Sequence, residues 1–204
     1  MTTAVQIIAL DDLCLKLAHR VLEFAEGALA ESTEYRAPLH PIEIADPIPV
    51  YHRHMAFIVV SASAGDVFFS CQHSEGIAEC LIPSRLAGIM GSLANTSNEV
   101  IKEVVNLVGG RTKGLFEQFV PAAGMSLPFA VDGFDNYFLE VSGSGTLPGI
   151  VAAAERTFSW RIPLSRQHDV VFSVSINMRD RSVLENLARK RSEPPDQSWL
   201  EILG

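Results

Sequence analysis

The sequence predicts an α+β fold, and three observations carry that prediction. Residues 5 to 31 and 96 to 119 show helical periodicity, strand-like runs come in groups before and after the second of these, and no regular alternation of strand and helix runs along the chain. A doubly wound parallel sheet would need that alternation. Helices packed on one sheet satisfy the observed order.

Taken in order, residues 5 to 31 place Ile8, Leu13, Leu17, Val21, Leu22, Phe24 and Leu29 at helical spacing with charges between them, which predicts a long first helix with a possible break near Asp11. Residues 37 to 50 hold Pro38, Pro41, Pro47 and Pro49, which remove backbone donors and push their predecessors toward extended backbone. They predict an extended connection across the surface. Residues 55 to 63 and 66 to 72 are rich in β-branched and aromatic side chains, and the join at Ala64-Gly65 supplies a turn, so these runs predict a hairpin. A short helix follows over residues 74 to 82, stopped by Pro83, and the sequence allows a second short segment over residues 84 to 93. Strands are predicted at residues 126 to 131, 136 to 141, 152 to 162 and 170 to 178, with residues 143 to 149 as a flexible loop. A last helix ends near Arg189-Lys190-Arg191, cations that suit a helix C-terminus.

The helix over residues 96 to 119 is the most informative element. At about 100° per residue, Ile101, Val104, Val105, Val108, Thr112 and Leu115 cluster on one side, opposite a stripe of Glu99, Glu103, Asn106, Gly110 and Lys113. The apolar side should pack and the stripe should face outward. Thr96 and Glu99 have capping-box spacing, which would make Glu99 a cap of the helix start. Gly109 and Gly110 each cost a helix about 0.5–1 kcal/mol relative to Ala, so something should offset them. Gly109 points off the stripe and fits close packing on the protein's own sheet. Gly110 lies on the stripe, where either close packing or the approach of another molecule would explain it.

Composition excludes several classes. The chain has 204 residues, 48% of them hydrophobic, which suits one domain with appendages and a real core. A net charge of −8 argues against a nucleic-acid partner. No long uncharged apolar run and no leader-like N-terminus is present, so neither membrane insertion nor secretion is expected, and the expected location is cytoplasmic. Cys14, Cys71 and Cys80 read as reduced, mostly buried thiols. Cys71 and Cys80, taken with His52, His54 and His73, match no zinc spacing, so no metal site is expected. Gly143-Ser-Gly145 lacks the continuation of a phosphate loop, and no G-x-S-x-G elbow occurs.

The stretch Glu99-x-x-x-Glu103-x-x-Asn106, followed by Leu107, Val108, Gly109 or Gly110, and Lys113, resembles the motif helix of the CheX/CheC/FliY chemotaxis phosphatases, which reads Asp or Ser, three residues, Glu, two residues, Asn. Met125-Ser126-Leu127-Pro128 is similar to the Leu-Pro strand opening of that family, and the hairpin from Phe57 to Ser70 stands where the family has one. The likeness covers residues 54 to 178 and departs from the pattern at Glu99. Glu-x-x-Asn occurs only once, which suits the one-site, CheX-like members.

The resemblance implies a mixed sheet with helices on one face, in one domain over residues 1 to 180, with residues 181 to 204 as C-terminal helix and tail. It further implies hydrolysis of the aspartyl-phosphate of a CheY-like receiver, with Glu103 and Asn106 as the working pair and Glu99, Gly110 and Lys113 against the partner. Asn106 would hold the attacking water and Glu103 would pair with a receiver lysine. The chain itself would bind no cofactor, Mg²⁺ being held by the receiver, and a homodimer is compatible with the family. A noncatalytic docking module using the same helix is the alternative.

Overall fold

A computed structural model of the chain describes residues 4–33, 35, 39–44, 52–82, 93–132 and 154–189. The first helix, α1 (Ala4–Ser32), runs without a break through Asp11. Cys14, Leu17, Ala18, Val21, Leu22, Ala25, Ala28 and Leu29 recur at helical spacing and are all buried, so one face supplies a continuous apolar stripe. Strand β1 (Ile42–Ile44) lies in the proline-rich connection, the rest of which falls largely outside the described residues.

The hairpin β2 (His54–Ala62) and β3 (Gly65–His73) closes through Ser63 and Ala64, with Ala62 opposite Gly65. Gly65 has φ of 156°, and a Cβ there would come within 2.5 Å of the Asn177 carbonyl oxygen. Only glycine fits. Arg179, just past the end of the neighbouring strand, holds the turn, donating to the Ala62 carbonyl at 2.7 Å and the Asp66 carboxylate at 2.9 Å. One turn of 3-10 helix (Glu75–Ile77) and the short α2 (Ala78–Leu81) follow, close to the predicted span.

The motif helix α3 spans Leu93–Phe116, which shifts the predicted 96–119 by three residues toward the N-terminus. After Phe116 the chain continues in turns, with Val120 N–H donating to the Phe116 carbonyl at 3.0 Å. Pro121 then has no N–H to continue the pattern. Strands β4 (Ala123–Met125) and β5 (Phe129–Asp132) both pair with β2, and β6 (Ala154–Pro163) and β7 (Asp169–Met178) form a second hairpin. Helix α4 (Arg181–Arg189) starts on Asp180, whose carboxylate accepts from the Ser182 and Val183 amides. Those bonds hold the Asp180 carboxyl below its usual range, the Ser182 hydroxyl contributing most. The predictions for residues 84 to 92, 136 to 141 and 143 to 149 lie outside the described residues.

The strands form one sheet in the order β1-β6-β7-β3-β2-β4, with β5 also on β2, and every described pairing is antiparallel. The class is α+β as predicted, but the sheet is antiparallel rather than mixed. Each described hairpin connection is too short for the crossover that a parallel pair would need. Alternate residues of the central strands, including Ile58, Val60, Val67, Phe69, Phe172, Val174 and Ile176, join α1, α3 and α4 in a single core. Each such fully buried side chain contributes about 1.5–3 kcal/mol by leaving water.

Candidate functional site

Helix α3 is fixed on two sides. Its apolar face presses onto the sheet, with Ile101, Val104, Val105 and Val108 fully buried and Thr112 and Leu115 nearly so, as the periodicity predicts. Gly109 belongs to this contact. A Cβ on it would meet Ile58 Cδ1 at 2.6 Å and Met125 Sδ at 2.8 Å, so the glycine lets the helix lie close to β2 and β4. On the α1 side, Arg111 donates from Nη1 to the Phe24 carbonyl at 3.1 Å and from Nη2 to both oxygens of Glu31 at 2.6 Å. The motif helix is therefore held in place and in rotation by a glycine and an arginine.

That rotation turns the stripe outward. Glu99, Glu103 and Gly110 are exposed, and Asn106 and Lys113 are half-buried. Glu103 and Asn106 stand one turn apart, and neither has a hydrogen bond or ion pair with another described residue. A Cβ on Gly110 would meet nothing within 4 Å, which removes the close-packing explanation for that glycine and leaves an open surface beside Asn106. The five predicted site residues thus share one accessible strip.

The ends of the strip are occupied differently. Glu99 accepts from Lys102 Nζ at 2.8 Å, and Lys113 donates to Glu117 at 2.6 Å. The expectation that Glu99 caps the helix is corrected: the helix begins at Leu93, so Thr96 already has helical backbone and Glu99 lies in the second turn. Lys102 was not among the predicted site residues, although its three-residue spacing from Glu99 is readable in the sequence. Arg111 was not predicted either, because its partners come from another helix.

A second cluster of polar side chains collects at the far end of the β2–β3 hairpin. The rings of His54 and His73 stack with centroids 5.3 Å apart, and His52 Nε2 lies 3.0 Å from Asp169 Oδ1. Burial pushes the His73 imidazole down to about 4, opposed by its bond to the Ser74 carbonyl. Burial likewise lowers His52, against the pull of Asp169. A neutral His73 is thus built into the core beside the start of α3, near Asn98. Among the described residues no group of three or more His, Cys, Asp or Glu side chains could hold a metal ion. No described helix is long and apolar enough to cross a membrane.

No protein-family model matches the chain, and no curated protein matches it in sequence. Solved structures do match in shape. The chain is similar to the chemotaxis protein CheX from Vibrio vulnificus, with a TM-score of 0.51 and 13% identity over 78% of this chain and 99% of that one. It is similar to a chemotactic CheC-like protein from Shewanella oneidensis, with a TM-score of 0.52 and 12% identity over 80% of this chain and 99% of that one. A third match is the structure of the CheX-CheY-BeF3-Mg+2 complex from Borrelia burgdorferi, with a TM-score of 0.50 and 10% identity over 77% and 95% of the two chains. The chain has the fold of CheX- and CheC-like chemotaxis proteins. At such identities the likeness concerns the fold alone.

Proposed function

We propose that this protein is a CheX-like phosphatase acting on the aspartyl-phosphate of a CheY-like receiver domain. One observation carries the reading: Glu103 and Asn106, with no partner among the described residues, project from the exposed strip of a helix whose other faces are locked to the sheet and to α1. A fold shared with CheX, and a CheX found in complex with CheY, support the choice of partner.

In this reading the chemistry asked of the chain is small. An acyl phosphate is already activated, and the receiver holds the Mg²⁺ that neutralises charge on the phosphoryl oxygens. What remains is to place a water in line with phosphorus. The Asn106 carboxamide can accept from that water with its oxygen and donate with its nitrogen, which orients the lone pair toward the phosphorus. Glu103 anchors the complex through a receiver ammonium group. The bare surface at Gly110 admits the receiver backbone beside Asn106. Glu99 and Lys113 sit in exposed helical ion pairs worth about 0.3–0.5 kcal/mol each, so charges on the partner can displace those pairings at little cost.

The purified chain mixed with phosphorylated receivers should accelerate loss of the phosphoryl group from at least one of them. Binding of a receiver with no acceleration would instead assign the strip to a noncatalytic docking module. Binding to none of them would remove the receiver as partner.

A further inference from the structure

Four large apolar side chains are exposed among the described residues, and three of them, Met125, Leu127 and Phe129, stand at alternate positions on the β4–β5 edge of the sheet. Leu127 is 79% exposed and Phe129 52%. No charged side chain occurs from residue 118 to residue 131. Edge strands commonly carry charges that keep other molecules off, and this one leaves its apolar surface open.

The exposed side chains are held in place. Ser126 stands opposite Val59, donating from its N–H to the Val59 carbonyl at 2.9 Å and accepting from the Val59 N–H on Oγ at 3.1 Å. Phe129 stands opposite Phe57, so Leu127 and Pro128 together face the single residue Ile58. That is a bulge, a device that re-aims a side chain, and the Ser126 hydroxyl closes it by donating to the Leu127 carbonyl at 2.9 Å. The Phe129 ring stacks on Phe57 with centroids 5.5 Å apart, on the sheet face away from α3, and extends the patch round the edge. Pro128 has no N–H, and the bulge interrupts the ladder, so the edge resists addition of a further strand while presenting fixed apolar side chains. It suits contact through side chains.

The patch is continuous with the strip on α3. A Cβ on Gly109 would meet Met125 Sδ at 2.8 Å, and at 100° per residue Asn106 and Lys113 come within about 60° of Gly109 around the helix. The strip from Glu99 to Lys113 is about 21 Å long and about 10 Å wide. A specific interface covers about 800 Å² on each partner, several times what such a strip offers. A domain seated on it therefore spreads over one flank. On the α1 flank it would meet the Arg111–Glu31 ion pair, whose charges lose water at a cost. On the other flank it covers Leu127 and its neighbours, whose burial favours binding.

We infer that the β4–β5 edge, with Leu127 as anchor and Met125 and Phe129 beside it, is the second half of the receiver-docking surface and takes an apolar patch next to the receiver's phosphorylation site. This deepens the reading of the α3 strip and rests on the receiver as partner. Glu103 and Asn106 then serve the phosphoryl group, while the edge sets which receivers are held. A receiver with a charged side chain at that place is rejected, because the charge would lose water against Leu127 and gain no partner.

The test is calorimetric titration of the full chain with the CheY-like receiver that it binds most tightly, loaded with beryllium fluoride and Mg²⁺. Leu127→Ser should weaken binding at least about tenfold and still melt as the parent does, since its side chain is already in water. Phe129→Ser should weaken it less; should that variant melt early through loss of the Phe57 stack, Leu127→Asp provides the second comparison. Ile42→Ser, an exposed apolar site at the other end of the strand order, should bind as the parent does. Raised salt should shrink the loss caused by Glu103→Ala and leave that of Leu127→Ser unchanged. Unchanged affinity in Leu127→Ser and Leu127→Asp, beside a parent that binds and dephosphorylates the receiver, would overturn the edge assignment and leave the phosphatase reading standing. A parent that binds without turnover would end the phosphatase reading, while the affinity losses would still decide the edge. A parent that binds no receiver would overturn both. Loss of self-association in Leu127→Ser with receiver affinity intact, read by sedimentation, would assign the edge to a second copy of the chain instead.

Discussion

Two adjacent glycines show how much one position along a helix decides. Gly109 faces the sheet, with Ile58 and Met125 where its Cβ would go, and Gly110 faces open space. Gly110→Ala should therefore stabilise the protein by about 0.5–1 kcal/mol, since Ala lowers the entropy of the unfolded chain and nothing blocks it. Gly109→Leu should lose about 1–3 kcal/mol by overpacking. Chemical denaturation of the two variants checks both signs. Gly110→Gln should fold as well as Gly110→Ala yet bind a receiver more weakly, and unchanged binding would move the docking surface elsewhere. Glu103→Ala should melt within about 0.5 kcal/mol of the parent, because its side chain is exposed and bonds no described residue, while losing receiver affinity.

Elements were legible where a local pattern decided them and obscure where a tertiary partner did. The apolar face of α3, the β2–β3 hairpin, β6 and β7 followed from periodicity and β-branched content. Strand β4 did not, because Ala123-Gly124-Met125 has no strand preference of its own and exists by pairing with Val60, Ser61 and Ala62. Just beyond it, Ser126 Oγ accepts from the Val59 N–H at 3.1 Å, so a side chain replaces a ladder carbonyl. The stripe of candidate residues was readable from one helix alone, and its outward orientation was correctly predicted. The clamp that fixes it was not, since Arg111 finds Phe24 and Glu31 at sequence separations of 87 and 80. Arg111→Met should cost about 1 kcal/mol, a value reduced by the solvent exposure of the Glu31 pair, and should loosen α3 against α1. Amide exchange in the C-terminal half of α3 should rise in that variant; unchanged protection would show that apolar packing alone sets the helix.

Across the whole molecule, one sheet carries the exposed strip of α3 toward one edge and a buried histidine at one end of its central hairpin. His73 is held neutral by burial, with its titration pushed from 6.5 to about 4. The unfolded chain takes up that proton more readily than the folded one, so its contribution to stability is present above pH 6.5 and is lost as the pH falls toward 4. The loss amounts to about 3 kcal/mol at most. His52, lowered in the same direction, adds to the slope. Melting curves between pH 7 and 4 should show a drop that is smaller in His73→Gln, measured against its own value at pH 7. The central claim is that the strip on α3 acts on phosphoryl chemistry rather than serving only as a landing place. It is tested most directly by the dephosphorylation rate of a bound, phosphorylated receiver with the parent chain and with Asn106→Ala, at saturating concentration of each. The account predicts a rate that falls at least about a hundredfold to the receiver's own level, with receiver affinity nearly unchanged. A variant that binds and dephosphorylates as the parent does would contradict it.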